Sequence, residues 1–583
     1  MEKKNLSAKN IIDKRILLII FSLYLIWLFK SYTGNQHSNS INLFKFVLGS
    51  FDYINDIGLQ NSLFFKSSIF FKIIEIFRIN LDNDIIGFFL HIVLSTLSGL
   101  FLFLILKKYL NIKNINFIFI FLFISMIIGD FLVLGTGGKS SWVSQTNFSL
   151  TYFGQNLRLI FIYLLLAENF IGLIFIAPII LLISIKSTIM TLSCGVLYSI
   201  FFYKNKKKLL WLITPALTLF YFYSLGYSSS ELSFDEKIFA IETMLKWDEF
   251  EAAFHLQPIS NLLKLILSFV VFSILLIYSD KNKFTNFSLI VFVVSLANFV
   301  FSYIYLKFLY IYLPLPELVM FGPTRLMELY QLVFWIFLTY FIYQLKITNL
   351  KKILIFTAMF YLFLATKGLI ISFVILSSVL FLHLKKVKKN INNNLALLIF
   401  LMLIAPAILY LAYQRYDKNF NHYSFKTTSK WTLGYGKLKK ERIDLALKLQ
   451  KCKDFIFIAT HEMKETGRLY TEYYTSSIAG KSSFGGHPVL NNLDIKYVRE
   501  VEYRTKLLEE LYFDLSKKNN ISDKIIENFR KYNVALLVNK KFKDKFRSNI
   551  KLYEIAETEK LIAIMNEKEE LEFEKNCIRK FIY

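Results

Sequence analysis

Pro258–Tyr278 reads PISNLLKLILSFVVFSILLIY and is followed closely by Lys281 and Lys283. A run of this kind reaches the roughly 20 residues that a helix rising about 1.5 Å per residue needs to cross a hydrocarbon core. Arg15–Tyr32, Asn116–Leu134, Trp211–Leu225 and Leu395–Tyr413 approach or reach the same length. Short lysine-rich loops alternate with longer, lysine-poor ones between such runs. That pattern predicts a mainly α fold, a polytopic membrane helical bundle of about 13 spans.

Composition points the same way. The 583 residues are 55% hydrophobic, include 61 Phe and are only 19% charged, against about 25% charged in soluble domains; mean hydropathy is +0.45. A net charge of +26 would suit nucleic acid in a soluble protein. Here the cations are scattered among short loops and form no groove of arginine with aromatics, which argues against a nucleic-acid partner.

Lysine and arginine retained on the cytoplasmic face set orientation. Lys3, Lys4, Lys9, Lys14 and Arg15 place the N-terminus inside. Lys107, Lys108 and Lys113; Lys204 and Lys206 to Lys208; Lys281 and Lys283; Lys346, Lys351 and Lys352; and Lys385, Lys386, Lys388 and Lys389 each fall on a return to that side. The opposite loops, roughly 33–85, 135–150, 226–257 and 307–326, are poorer in lysine. The runs between Phe153 and Tyr203 and between Ile353 and Leu384 are short and nearly continuous, so spans and re-entrant helices both fit. The first segment lacks an Ala-x-Ala-like cleavage site and reads as a retained anchor.

The chain divides into residues 1–413, carrying the spans and a large first outer loop (33–85), and residues 414–583, placed outside by an odd number of crossings. In this tail, Phe455–Ala459, Val534–Val538, Leu552–Ile555 and Leu561–Ile564 read as strands, and Leu445–Leu449, Val498–Leu515 and Ile525–Phe529 as helices. The alternation predicts a small extracytoplasmic α/β domain. Cys452 and Cys577 lie in it and pair only if the fold brings them together.

Candidate functional residues concentrate in the outer loops. Asp52 and Asp56 share a face if helical; beside a low-dielectric boundary one gains the raised pKa of a general base, while in a solvated loop both are helix caps. His255, before Gln257 and Pro258, suits a substrate phosphate, a proton relay or an interfacial hydrogen bond. Arg325, after Gly322-Pro323-Thr324, opens an apolar span, where a cation is costly unless paired or bound to an anion; snorkelling to headgroups is the other reading. Gly135-Thr136-Gly137-Gly138-Lys139-Ser140 resembles a phosphate loop, but the required first glycine falls at Val133, and the stretch faces away from cytoplasmic nucleotide. Lys139 remains a candidate contact for acceptor or phosphate. Asp130, Arg158 and Glu168, near the ends of their spans, read as structural pairs or cavity residues.

The layout resembles the GT-C superfamily of integral-membrane glycosyltransferases, and more closely an uncharacterised bacterial multi-pass group with that architecture. The matching residues are Tyr32-Thr33-Gly34-Asn35-Gln36 with Asp52 and Asp56, His255 to Pro258, Pro323-Thr324-Arg325, and in the tail Arg468-Leu469-Tyr470-Thr471, Lys481 and Tyr532-Asn533-Val534-Ala535. The resemblance implies transfer of a sugar from a polyprenyl-phosphate-linked donor to a glycan, lipid or protein acceptor, outside the bacterial cytoplasmic membrane. It gives Asp56, then Asp52, the role of base. Arg325 and His255 hold the lipid phosphate, and Arg468 and Lys481 are substrate contacts of the tail. The first loop lacks a compact Asp-x-Asp or Asp-Glu pair, so no metal or other cofactor is implied. A lipid-linked glycan flippase and a non-catalytic envelope assembly protein are the alternatives.

Overall fold

A computed structural model describes residues 84–113, 150–224, 232–247, 253–256, 259–320, 322–345, 440–450, 457–460, 479–484, 495–518, 520–546, 552–566 and 580–581, with Ile76 and Ile118. The runs Arg15–Tyr32, Asn116–Leu134 and Leu395–Tyr413, the segment Ile353–Leu384, Asp130, Cys452 and Cys577 fall wholly or mainly outside the described residues.

The helical unit contains α1 (Asp84–Lys108), α2 (Leu150–Leu166), α3 (Phe170–Phe202), α4 (Ile213–Ser224), α5 (Phe234–Trp247), α6 (Ile259–Ile277), α7 (Lys283–Ile304), the short α8 (Pro316–Met320) and α9 (Glu328–Gln344). A thirteen-span bundle is not what these elements form. Among the described residues one helix, α7 with its continuation to Leu309, is long and apolar enough to cross a membrane; Asn156–Leu166, Phe170–Ile183, Thr188–Phe202 and Leu265–Ile277 are shorter apolar segments. Trp211–Leu225, expected as a span, is split between a 3-10 turn (Lys206–Leu212) and the twelve residues of α4, about 18 Å of helix.

The physical reason is clearest in α3. A Cβ on Gly172 would fall 3.0 Å from the Leu164 side chain, and one on Gly195 would fall 2.7 Å from Cζ of Phe161 and 3.7 Å from Leu165. In a straight helix Gly172 and Gly195 would stand about 35 Å apart. Thr188 Oγ1 also donates to the Ile180 carbonyl at 3.1 Å, a separation of eight residues that a straight helix spreads over about 12 Å. Helix α3 is therefore folded back between Ile183 and Thr188. Both of its arms pack on α2, so one face of each arm, including Leu173, Ala177, Ile180, Leu192 and Cys194, buries against protein.

At the centre stands α9, buried on nearly every face from Glu328 to Tyr340, as expected for a helix apolar all round. Phe269, Phe272, Tyr330, Phe334 and Phe337 form its aromatic packing, with centroid separations from 4.6 to 6.1 Å. Two polar ties cross this core. Ser268 and Tyr330 share a 3.0 Å hydrogen bond, and Arg158 Nη2 of α2 lies 3.2 Å from Glu328 Oε2, both residues buried.

In the tail, α10 (Lys440–Gln450), α11 (Ile495–Lys517) and α12 (Asp523–Tyr532) accompany strands β1 (Phe457–Thr460), β2 (Ser482–Ser483), β3 (Val534–Asn539), β4 (Leu552–Glu557), β5 (Leu561–Asn566) and β6 (Lys580–Phe581). The sheet order is β2-β1-β3-β5-β4-β6. β1 pairs parallel with β2 and β3, while β3–β5, β4–β5 and β4–β6 are antiparallel. Asn533, between α12 and β3, adopts φ 57°, the left-handed turn-off that asparagine tolerates. Arg504 lies 5.2 Å from the Phe484 ring and 5.0 Å from the Tyr532 ring, with Glu500 at 2.7 Å. It thereby joins α11, α12 and the end of β2.

Replacing Gly195 by Ala should destabilise the protein by about 1–3 kcal/mol, because the buried Phe161 ring has no room to withdraw. Adding Phe161→Leu should restore part of the loss. Thermal unfolding of the single and double variants in detergent checks both expectations.

Candidate functional site

The far end of α7 is built differently from its beginning. Tyr305–Leu309 continues the helix as a π-turn, a distortion often found where a helix serves a site. Tyr305 folds the following loop back: its hydroxyl donates to the Leu313 carbonyl at 2.8 Å and accepts from the Leu315 amide at 2.6 Å. Tyr305 and Leu306 also join a small core with Ala240, Ile241, Met244 and Val319 of α5 and α8.

His255 sits in the 3-10 turn Phe254–Leu256. Phe254 anchors this turn by packing edge-on against Phe299 of α7 at 5.0 Å, which sets the His255 ring edge-on to Tyr303 at 6.4 Å. Lys307 Nζ lies over the same Tyr303 ring at 5.5 Å and over Phe308 at 5.2 Å. His255 Nδ1 is buried without a hydrogen-bond partner. Burial, and secondarily the charge of Lys307, hold the imidazole below its usual pKa. At neutral pH it is uncharged beside a cation, with one ring nitrogen unsatisfied.

The Gly322-Pro323-Thr324-Arg325 stretch reaches the same helix. Gly322 takes φ 63°, a left-handed conformation suited to glycine. Asn298 Nδ2 of α7 donates to the Pro323 carbonyl at 3.0 Å and approaches Met327 Sδ at 3.7 Å. Arg325 begins the next 3-10 turn, Arg325–Met327, and Glu328, paired with Arg158, follows it directly. Asn298 and Tyr303 are five residues apart, about 7.5 Å along the axis. The turns carrying His255 and Arg325 are thus seated on one stretch of α7.

The other expected residues are distributed differently. Asp52, Asp56, Lys139 and Arg468 lie outside the described residues. Lys481 is half-buried immediately before β2 in the tail. The tail itself meets the helical unit beside α5, where Ile495 packs on the small core and Arg499 Nη2 lies 3.4 Å from Glu236 Oε1. Lys307 is the functional candidate that sequence patterns do not single out. Its signal was a lysine at the edge of a lysine-poor loop, beside aromatic residues. Among the described residues no group of three or more His, Cys, Asp and Glu is placed to hold a metal. No protein-family model matches the chain, and no curated protein does either.

Burial disfavours protonated His255 in the folded protein, so its folded pKa lies below the unfolded value of about 6.5. Its effect on stability is absent above that value; stability declines as pH falls through it and levels off below the folded pKa. Lys307→Gln should move the His255 pKa partway back up, because the charge is removed and the larger cause, burial, remains. Histidine NMR titration of both proteins checks the direction.

Proposed function

We propose that the helical unit lies in a membrane and that the His255–Lys307 end binds the phosphate of a polyprenyl-linked sugar, which the chain transfers to an acceptor in the manner implied by the GT-C resemblance. The carrying observation is the juxtaposition of a lysine and an unsatisfied histidine with an exposed apolar rim of Leu256, Phe308, Leu309, Ile311, Tyr312 and Leu313. A cation beside an uncharged imidazole, bordered by exposed hydrocarbon, complements an amphiphile with an anionic head.

The helix exteriors support a lipid setting. Phe175, Phe220, Val270, Ile274, Val293, Val300 and Phe301 are large, apolar and exposed, a surface that soluble monomers rarely present over several helices. In this reading the lysine-bearing loops are cytoplasmic, and α5, α8 and the tail are external.

The chemistry assigns distinct parts. Asp56, or Asp52, takes the proton from an acceptor hydroxyl, whose oxygen forms the new bond to the sugar's anomeric carbon. The bond from that carbon to the lipid phosphate breaks, and its electron pair leaves with the phosphate. Lys307 and the neutral His255 N–H act as donors where that charge collects, and the resemblance assigns Arg325 the same role. A second reading, lipid-linked glycan transport, is favoured by the buried polar residues Ser98, Asn156, Arg158, Glu328 and Gln331 within the helical unit.

Titration of the detergent-purified chain with a polyprenyl phosphate should show binding weakened about tenfold by Lys307→Gln, roughly 1.4 kcal/mol. Neutral polyprenol should bind both proteins alike. Equal phosphate affinity of wild type and variant would reject the site. Asp56→Asn should leave binding intact and abolish the glycosylated product in membranes; persistence of that product would reject its role as base, and labelled lipid-linked glycan crossing vesicles without transfer would select the transport reading.

A further inference from the structure

The opposite end of α7 holds a second concentration of charge. Lys108 Nζ reaches Tyr163 Oη at 3.5 Å, the Lys113 amide donates to Tyr343 Oη at 3.2 Å, and Tyr203 Oη donates to the Leu165 carbonyl at 2.8 Å. Gln344 Nε2 donates to Asp280 Oδ2 at 2.8 Å. The loops near residues 107–113, 163–169, 203–208, 280–283 and 340–344 are therefore stitched into one face.

Glu168, at the left-handed corner between α2 and α3 with φ 54°, binds Lys283 Nζ at 2.6 Å and Lys208 Nζ at 2.9 Å. Lys206 Nζ donates to the Ile200 carbonyl at 2.6 Å near the end of α3. Glu168 and Asp280 are the described carboxylates of these loops, and both are engaged. Lys107, Lys113, Lys204, Lys207 and Lys281 are exposed and have no carboxylate partner among the described residues. Hydrocarbon borders them directly: Phe201 is 68% exposed, Leu210 55%, Ile213 53% and Ile277 76%.

We propose that this lysine face is a binding site for anionic phospholipid headgroups, with the neighbouring apolar residues against the acyl chains. The assignment rests on the membrane reading above but not on sugar transfer or on the His255–Lys307 pair. Exposed ammonium groups attract anionic lipid through charge. The adjoining exposed aliphatic surface of Leu210, Ile213 and Ile277 distinguishes an amphiphile from a soluble phosphate or a nucleic-acid strand, neither of which has hydrocarbon chains to cover it. Glu168 gathers Lys208 and Lys283 inward, leaving the outer lysines for the headgroups.

The full chain is reconstituted into phosphatidylcholine vesicles and into vesicles mixed with phosphatidylglycerol, and spin-labelled forms of the two lipids report which is held at the protein surface. Wild type should select phosphatidylglycerol several-fold. The triple variant Lys107→Gln, Lys207→Gln, Lys281→Gln should lose that selection, whereas the charge-matched tail variant Lys524→Gln, Lys531→Gln, Lys541→Gln should retain it. No selection by wild type, or undiminished selection by the first variant, overturns the proposal, as does displacement of the labelled lipid by soluble glycerol phosphate or by single-stranded RNA. Failure to float with either vesicle would instead reject the membrane reading and this inference with it; loss of polyprenyl phosphate binding alone leaves the lysine-face result intact.

Discussion

The buried contact between Arg158 and Glu328 ties the periphery of the helical unit to its centre. Both groups are withdrawn from water, and an ion pair in that setting is costly to form and more costly to leave half-made, with about 3–5 kcal/mol lost when one partner is removed. Glu328 begins α9 directly after the turn containing Arg325, so the pair also fixes the approach to that turn. Asn298 holds the other side through the Pro323 carbonyl. The Arg325 backbone is held from two helices independently. Arg158 still has one buried nitrogen, Nε, without a partner. The contact therefore constrains geometry more convincingly than it maximises stability.

Helix α7 supplies the second constraint by joining both charged ends. Its first residue, Lys283, meets Glu168, and Asn298, Tyr303 and Lys307 lie progressively farther along it. Twenty-four residues separate Lys283 from Lys307, about 36 Å of helix. In the membrane setting proposed above, that separation exceeds a hydrocarbon core of about 30 Å, so both lysines reach polar surroundings while the intervening residues lie among apolar neighbours. The two charged regions thereby acquire different chemistry: many exposed lysines at one end, and one lysine with a half-buried histidine at the other.

Local sequence reveals much of this and misleads about one part. Val534–Val538, Leu552–Ile555 and Leu561–Ile564 fall within β3, β4 and β5, because short runs rich in apolar residues and bounded by polar ones are the signature of half- or fully buried strands. The candidates His255 and Arg325 share a supporting helix, but Lys307, which modifies the His255 environment, emerges only when the turn at Phe254 is docked. The span count fails for a related reason. Hydropathy registers that Phe170–Phe202 avoids water without distinguishing a crossing from two arms packed against α2.

That fold-back explains how the lysine pattern can persist when the number of crossings does not. An arm that leaves an end and returns to it preserves the side reached by the next loop, as two complete crossings would. Glu168 precedes α3 and Lys208 follows it, yet their side chains meet at 2.9 Å. The charged loops record where the chain returns; the apolar runs do not record how far it travelled in between. Side-chain contacts such as Thr188 to Ile180 and Gly195 against Phe161 supply that missing distance. They turn a sequence compatible with several passages into a helical hairpin whose entrance and exit are both fixed at the Glu168 corner.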